Sequence, residues 1–379
     1  PELQEGTHRA KASGTLPSGQ PVVVNADGTV SVITETSASQ SVGTPAQFSS
    51  SQGNWLSCTY DANAQKVVIV YKDDNNSNYG TAVVGTVSGT SISFGTEVVF
   101  ESGSTQYTSC AYDANAQKVV IAYQDQSNSS RGKAVVGTVS GTSISFGSIV
   151  TFNAGSTFYI SCAYDVNAQK IVIAYSDGGA GSDGFAIVGT VSGTNISFGT
   201  EVEFETGDTA YCSVVYDASA QKVVIAYTDA TDANKGKAIV GTVSGTSISF
   251  GSITQFEAGA TYYISAAYDA NAQKIVIAYS DWGNSRYGTS VVGTVSGTSI
   301  SFGTPVVFES AYAYYTSTTY DAIAQKVLIS YQDTSNSERP AAIVGTVSGA
   351  TISFGSPVVL QTSGGVGVSP CVYNEASKN

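Results

Sequence analysis

A heptapeptide close to Tyr-Asp-Ala-Asn-Ala-Gln-Lys occurs six times in this sequence, and each copy begins 52 residues after the previous one. So regular a period indicates one supersecondary unit repeated in tandem, which buries its apolar faces against its neighbours. Comparing the copies also separates positions that the fold requires from positions that are free to vary. The aspartates of the motif are Asp61, Asp113, Asp165, Asp217, Asp269 and Asp321.

The composition favours β-structure and excludes two classes of partner. Of 379 residues, 42% are hydrophobic and 12% charged, and 40 are Gly, which suits short strands joined by tight turns. Nothing approaches the ~18 continuous apolar residues of a membrane helix, so we expect no membrane insertion. The formal net charge of −13 predicts no nucleic-acid partner, because phosphate binding requires clustered Lys and Arg.

The second copy illustrates the predicted unit. Residues 108–112, 118–123, 133–139 and 143–152 are predicted as four consecutive strands. Short turns join the first strand to the second and the third to the fourth, and a polar loop over 125–132 joins the second to the third. Four antiparallel strands in about 50 residues match the size of a β-propeller blade.

The two ends of the chain complement each other. Residues 42–48 align with a fourth strand, residues 21–24 and 29–33 are predicted as a second and a third strand, and residues 368–374 as a first strand. Three strands at one end and one at the other make one missing blade.

The sequence therefore predicts an all-β, seven-bladed β-propeller over residues 11–379, with six full repeats and one composite blade. Residues 1–10 would form an N-terminal leader or anchor. A closed ring leaves no terminal blade face exposed to water. An open β-solenoid is the alternative.

One rim of the predicted ring is nearly uniform. It carries the Asp-Ala-Asn-Ala-Gln-Lys turns and the Ser-Gly-Thr-Ser turns, in which Asp and Gly suit the turn conformation. The Lys five residues after each Asp predicts an ion pair across the turn. This rim is interpreted as scaffold.

The opposite rim varies between copies. A constant Asp after each second strand opens a loop whose content differs from copy to copy, and a turn role for this Asp is favoured over a ring of calcium ligands. Varied loops on a rigid frame are typical of a binding surface. The candidate ligand-binding residues in these loops are Tyr79, Arg131, Trp282 and Arg286.

A series of aromatic residues with the same 52-residue spacing lies on this variable rim. Each member enters the first strand of its blade, nearest the axis, with further aromatic residues beside it at Phe158, Tyr262, Tyr312 and Tyr314. A ring of such side chains can stack on sugars and donate hydrogen bonds; wedging between blades is the alternative, and the two are compatible. The candidate ligand-binding residues of the series are Trp55, Tyr107, Tyr159, Tyr211, Tyr263 and Tyr315.

Catalysis is not expected. Glu101, Glu205, Glu257 and Glu309 rim the same surface, and paired carboxylates serve glycosidases, but these residues recur through copying. The single histidine, His8, lies in the leader, so no Ser-His-Asp set is predicted. The five Cys residues are interpreted as small buried residues, and we predict no metal site and no cofactor.

The repeat resembles the repeat regions of tail-fibre and virion structural proteins of marine bacteriophages. The resemblance rests on the runs Tyr-Asp-Ala-Asn-Ala-Gln-Lys-Val-Val-Ile-Ala-Tyr and Val-Gly-Thr-Val-Ser-Gly-Thr-Ser-Ile-Ser-Phe-Gly, and on residues 11–30. The Ser-x-Asp-x-Gly-x-Thr-Trp boxes of sialidase-like propellers and the Gly-His and Trp-Asp signals of WD40 repeats are missing. The resemblance implies a virion or extracellular protein that contacts other virion proteins.

Three functional hypotheses follow. The first is a non-enzymatic virion fibre or surface protein whose variable rim binds a host receptor or glycan. The second is a purely structural virion decoration or spacer protein without ligand binding, and the third is a carbohydrate-active enzyme. Assembly into a homo-oligomer is compatible with the first two.

Overall fold

The structure is a computed structural model that describes residues 11–12, 22–24, 29–32, 42–361 and 370–374. Residues 1–41 and 42–379 form two compact units. The first contains a three-stranded sheet of β1 (Lys11–Ala12), β2 (Val22–Val24) and β3 (Thr29–Val32), in the order β1-β3-β2. β2 is antiparallel and β1 parallel to β3. The predicted leader, 1–10, lies outside the described residues.

The second unit contains the six repeats, and all of its strand pairs are antiparallel. Four of the loops between second and third strands contain a 3-10 turn, at Gln126–Asn128, Gly178–Ala180, Trp282–Asn284 and Thr334–Asn336. The strands are β4 (Gly53–Asp61), β5 (Lys66–Asp73), β6 (Tyr79–Ser88), β7 (Ser91–Phe94), β8 (Val98–Asp113), β9 (Lys118–Asp125), β10 (Arg131–Ser140), β11 (Ser143–Phe146), β12 (Val150–Asp165), β13 (Lys170–Asp177), β14 (Asp183–Ser192), β15 (Asn195–Phe198), β16 (Val202–Glu205), β17 (Thr209–Asp217), β18 (Lys222–Asp229), β19 (Lys235–Ser244), β20 (Ser247–Phe250), β21 (Thr254–Asp269), β22 (Lys274–Asp281), β23 (Tyr287–Ser296), β24 (Ser299–Phe302), β25 (Val306–Asp321), β26 (Lys326–Asp333), β27 (Arg339–Ser348), β28 (Thr351–Phe354) and β29 (Val358–Val359).

Each repeat is a four-stranded antiparallel sheet, as predicted. In the first repeat, β4, β5 and β6 pair in order, and both β7 and the start of β8 pair with β6 to make the fourth strand. The second half of β8 then pairs with β9 as the first strand of the next repeat. Long strands of this kind link the repeats into two 13-stranded sheets, and the break falls between β16 and β17. These features define an all-β fold of the propeller type.

The core lies between successive repeats. The Tyr of each second strand is fully buried and packs on the Phe of the preceding fourth strand; Tyr123 and Phe100, for example, have ring centroids 5.1 Å apart. The same pair recurs at Phe152 and Tyr175, at 5.2 Å. Each repeat therefore completes the core of its neighbour, and this mutual burial is the reason the unit occurs in tandem.

The heptapeptide forms the uniform turn between first and second strands. Asp113 is 2% exposed, and its Oδ1 accepts hydrogen bonds from the backbone N–H groups of Asn115 and Ala116. The hydroxyl of Tyr164, the Tyr of the next copy, accepts another from the Asn115 N–H. The predicted ion pair across the turn is wrong: within 42–361 these Asp residues pair with no Lys, because the carboxylate points to the turn N–H groups instead.

Residues 42–48 do not form the predicted β-strand, but they pack on the first repeat as a fourth strand would. Both edges of β3, the strand it would pair with, are taken by β1 and β2. Nevertheless Phe48 packs on Tyr71 with a ring-centroid distance of 5.2 Å, as Phe100 does on Tyr123. A Cβ on Gly43 would lie 2.0 Å from the carbonyl oxygen of Thr90. These are the contacts of a fourth strand without its hydrogen bonds to a third.

The C-terminal end shows the matching feature. In each repeat a first-strand Ser accepts a hydrogen bond from a backbone N–H of the next first strand, as Ser265 does from Thr318 at 2.9 Å. Ser317 accepts the equivalent bond from Cys371 at 3.0 Å, although residues 370–374 form no strand. Six repeats are thus complete sheets. The composite seventh blade stays a prediction.

None of the helical segments among the described residues is long and apolar enough to span a membrane.

Candidate functional site

The six aromatic residues of the predicted series surround one cavity. It has a volume of about 490 Å³, within the usual range of small-molecule sites, and the first strands of all six repeats line it together with Pro370 and Cys371. Ring centroids of consecutive members are 4.2, 5.2, 5.0, 5.2 and 4.8 Å apart, from Trp55 through Tyr107, Tyr159, Tyr211 and Tyr263 to Tyr315. The structure therefore places the series as one continuous row of aromatic contacts around the cavity, with no ring contact between Tyr315 and Trp55 among the described residues. We call these six residues the axial ring.

Each axial-ring residue lies in a β-bulge. In the third repeat, Tyr159 and Ile160 on β12 both oppose Tyr175 on β13. The bulge buries Ile160 in the core and leaves Tyr159 lining the cavity. All six residues have a positive φ, between 48° and 55°, which is costly for a side chain of this size. A strained conformation that recurs in every copy at the wall of a cavity marks these positions as functional candidates.

Burial raises the pKa of four tyrosines of the ring, Tyr107, Tyr159, Tyr211 and Tyr263, so these hydroxyls stay protonated at neutral pH. Burial, and then the neighbouring Tyr159, raise the pKa of Tyr107 to about 12, and burial with Tyr315 raises the pKa of Tyr263 to about 12. Neutral phenols can donate and accept hydrogen bonds. All six side chains are half-buried, so they pack on each other and also face the cavity. Packing and ligand contact are thus compatible here.

A second aromatic cluster extends from the ring over the fifth and sixth repeats. The Tyr262 ring lies 5.6 Å from Tyr211 and 4.5 Å from Trp282. The guanidinium carbon of Arg286 lies 4.0 Å from the centroid of Trp282 and 4.9 Å from that of Tyr312. Two predicted site residues, Trp282 and Arg286, are therefore brought together, and Tyr262 links them to the axial ring.

The other two predicted loop residues stand apart. Tyr79 and Arg131 begin β6 and β10, the third strands of the first and second repeats. Within 42–361, no ring contact or ion pair connects either of them to the axial ring. A binding role for Tyr79 and Arg131 stays a prediction without structural support from neighbouring residues.

The glutamates predicted on the rim each bond a tyrosine of the next repeat; Glu101 is buried, and Glu205, Glu257 and Glu309 are half-buried. Glu101 is 9% exposed, and its Oε2 accepts a hydrogen bond of 3.0 Å from the buried Tyr123 hydroxyl. Glu257 and Glu309 accept the same bond from Tyr279 and Tyr331. The prediction that Glu101 lies on the rim is wrong, because its carboxylate is buried against Tyr123 of the next repeat.

The constant Asp that opens each variable loop is a turn residue, as favoured from the sequence. Asp229 Oδ1 accepts hydrogen bonds from the backbone N–H groups of Thr231 and Asp232, and Asp177 accepts one from Gly179. In the part of the chain that the structure describes, no three His, Cys, Asp or Glu side chains form a metal-binding group. All five Cys are unpaired thiols.

Two of the buried Glu–Asp pairs carry a lysine that sequence comparison had not singled out. Lys133 Nζ lies 2.5 Å from Asp125 and 3.3 Å from Glu101, and Lys237 makes the equivalent contacts with Asp229 and Glu205. In the fifth repeat Thr289 occupies this position, so the pair of Glu257 and Asp281 has no cation. Burial, and then the charge of Glu257, raise the pKa of Asp281 to about 6.

Replacing Thr289 by Lys is expected to stabilise the protein at pH 7 by about 1–2 kcal/mol. A carboxyl group with a raised pKa in the folded state stabilises the fold when protonated. The wild type should therefore gain stability as the pH falls from about 6 towards the unfolded-state pKa of about 3.9. An ammonium group beside Asp281 favours its charged form and should remove this gain. Urea unfolding of Thr289→Lys and wild type at pH 4.5 and pH 7 measures the difference.

The converse change is the matched control. Lys237→Thr in the fourth repeat should lower the free energy of unfolding at pH 7 and make stability rise towards acid pH. If, for each variant, the difference from wild type in the free energy of unfolding is the same at pH 4.5 and at pH 7, the assignment of this charge effect is wrong.

Comparisons with known proteins support the fold and leave the family open. No protein-family model and no curated protein matches the sequence. Among solved structures, the BP39L lectin from Burkholderia pseudomallei is 10% identical with a TM-score of 0.57, covering 82% of this chain and 85% of that one. AofleA from Arthrobotrys oligospora is 9% identical with a TM-score of 0.53, covering 81% and 88%.

A third solved structure belongs to an enzyme. The periplasmic gluconolactonase PpgL from Pseudomonas aeruginosa is 10% identical with a TM-score of 0.58, and the match covers 82% of this chain and 86% of that one. Likeness at such low identity shows a shared fold alone.

Proposed function

We propose that this chain is a non-enzymatic carbohydrate-binding propeller, and that the axial ring is its binding site. The single observation that carries the proposal is the strained ring itself: six large aromatic side chains, all at positive φ, line a cavity of about 490 Å³. The apolar faces of sugars stack on aromatic rings, and neutral tyrosine hydroxyls can bond sugar hydroxyls. The likeness to a bacterial lectin agrees with this function.

Binding is favoured over catalysis because the recurrent Glu and Asp carboxylates of the repeats have partners within the fold. Glu205 accepts a hydrogen bond of 2.7 Å from Tyr227 and lies 3.9 Å from Lys237. Asp229 holds backbone N–H groups of its own loop. A glycosidase requires two carboxyl groups that face the substrate, one as acid and one as base or nucleophile. The likeness to a gluconolactonase makes hydrolysis of a sugar lactone the second candidate, and assay of the purified chain with gluconolactone tests it.

The particle role is part of the same proposal. The resemblance of the repeats to virion proteins of marine bacteriophages supports a fibre or surface protein that attaches to a host glycan, located on the virion or outside the cell. None of the solved structures compared above is a phage tail protein. A purely structural spacer would leave the strain in the axial ring without a purpose.

The composite seventh blade is proposed on two contacts. Gly43 and Phe48 pack on the first repeat as fourth strands pack elsewhere, and Cys371 bonds Ser317 as first strands do. These contacts support one additional blade made from residues near both ends of the chain.

The test of the proposed function is a glycan array probed with the full chain. We expect binding to a defined set of oligosaccharides and a saturable affinity for the best of them. Absence of binding to every glycan, with the chain folded by circular dichroism, would contradict the proposal and favour the structural role.

A further inference from the structure

The cluster formed by Tyr262, Trp282, Arg286 and Tyr312 departs from the repeat at Trp282, Arg286 and Tyr312, whereas Tyr262 is matched by Tyr314 in the sixth copy. The other copies place Asp74, Gln126, Gly178, Ala230 and Thr334 where the fifth has Trp282. The positions equivalent to Arg286 hold Asn78, Ser130, Ser182, Asn234 and Glu338. Residues that diverge together and meet in space were not placed there by copying alone. We call these four residues the Arg286 cluster.

The geometry of Arg286 leaves its hydrogen-bond donors available. Its guanidinium lies over the faces of Trp282 and Tyr312, at 4.0 and 4.9 Å from the ring centroids. These cation–π contacts use the charge of the guanidinium and none of its five N–H donors. Within the described ranges, Arg286 makes no ion pair with any carboxylate, although the chain has 29 Asp and Glu against 16 Lys and Arg.

The cluster is both held in place and open to solvent. The Arg286 carbonyl accepts a hydrogen bond of 3.3 Å from the Ala313 N–H, which fixes the loop against β25 of the next repeat. Trp282 and Tyr312 are 38% and 42% exposed. A positioned, unpaired guanidinium between exposed aromatic faces suits a ligand that has an apolar face and an anionic group.

We propose that the Arg286 cluster binds a sugar that carries a carboxylate, such as a uronic or sialic acid. The carboxylate would receive two parallel N–H bonds from the guanidinium edge, and Trp282 or Tyr312 would stack on the pyranose ring. In a protein with a net charge of −13, an unpaired Arg offers the local positive charge that an acidic saccharide needs. This inference rests on the proposed carbohydrate-binding function and names the substrate class of a second site on the same rim.

The test uses two matched pairs of probes. Binding of 3′-sialyllactose is compared with lactose, and binding of trigalacturonate with its methyl ester, by titration calorimetry at low and at physiological salt. We expect at least one acid to bind and its neutral counterpart to bind at least tenfold more weakly. Higher salt should weaken the acid only.

Arg286→Asn is the informative variant. Arg286 has φ 62°, a conformation that Asn tolerates well and that Asn78 and Asn234 adopt at the same position in other repeats. The variant should fold normally and lose at least tenfold in affinity for the acid. Lys118→Gln is the control, because it also removes one positive charge but lies on the uniform rim, where Lys118 begins a second strand. It should bind as wild type does.

The outcomes separate this inference from the proposed function. If neutral glycans bind and neither acid does, or if Arg286→Asn leaves acid binding unchanged, the inference is wrong while the axial-ring proposal stands. If the acid binds through Arg286 but substitution of Tyr211 affects no glycan, the Arg286 cluster is a binding site and the axial ring is not.

Discussion

Replacing Tyr211 with glycine should abolish glycan binding at the axial ring while the protein remains folded. Tyr211 is in ring contact with Tyr159, Tyr262 and Tyr263, at 5.0, 5.6 and 5.2 Å, so its loss opens the middle of the aromatic wall. Its φ of 50° is unfavourable for Tyr and costs Gly nothing. We expect the glycan affinity to fall at least tenfold, and the free energy of unfolding to change by less than about 2 kcal/mol, because relief of strain offsets lost ring contacts.

Gln221→Gly is the matched control for this experiment. Gln221 has the same positive φ, 54°, but lies in the exposed turn after Asp217 on the uniform rim. This variant should retain full glycan affinity. Tyr211→Phe keeps the ring and removes the hydroxyl, so its affinity separates stacking from hydrogen bonding. Equal affinities of wild type and Tyr211→Gly in titration calorimetry would show that the ring does not bind the glycan.

Replacing Gly147 with alanine should strongly destabilise the fold. A Cβ there would lie 1.8 Å from the backbone carbonyl oxygen of Thr194, in the outer turn of the next repeat. Because this oxygen is a backbone atom, the backbone at residue 147 or at Thr194 must move, and that movement would separate adjacent repeats. We expect a loss of about 3 kcal/mol in the free energy of unfolding, measured with urea. Ser145→Ala, at an exposed position of β11 just before Gly147, should change stability little.

The same substitution at Gly43 tests the composite blade. Gly43 lies in the segment before the first repeat, and a Cβ there would lie 2.0 Å from the carbonyl oxygen of Thr90. If residues 42–48 pack as the fourth strand of a closing blade, Gly43→Ala should also destabilise the protein by more than 1 kcal/mol. Stability equal to wild type would argue against the composite blade.

Much of the fold could be predicted because the same pattern of residues occurs in six copies. The strands, the capping role of the Asp residues and the meeting of the aromatic series around one cavity all follow from the 52-residue period. The bulge that aims each aromatic inward could not be predicted, because Tyr at positive φ contradicts local backbone preference. Only contacts between repeats maintain that conformation, as when the Thr316 hydroxyl donates to the Tyr263 carbonyl.

The sequence-based predictions failed for residues whose hydrogen-bond or ion-pair partners lie in the neighbouring repeat. The burial of Glu101 could not be read from its own repeat, because its partner Tyr123 belongs to the second strand of the next repeat. The compensating Lys133 and Lys237 alternate with Phe185 and Thr289 at one position, and this signal was available in the aligned copies. The contact of Arg286 with both Trp282 and Tyr312 depends on how two repeats pack, so it could not be predicted from the sequence of one repeat.

Trp55 provides the most direct measurement of the central claim, because the chain has only two Trp residues. In a Trp282→Phe variant, the remaining Trp55 lies within the axial ring, 4.2 Å from Tyr107. We expect Trp55 emission to change on titration with the best glycan from the array, and the fluorescence titration to give the same dissociation constant as calorimetry. The additional substitution Tyr211→Gly should remove this emission change. Calorimetric binding at the same affinity with unaltered Trp55 emission, whether Tyr211 is present or absent, would contradict the assignment of the axial ring as the binding site.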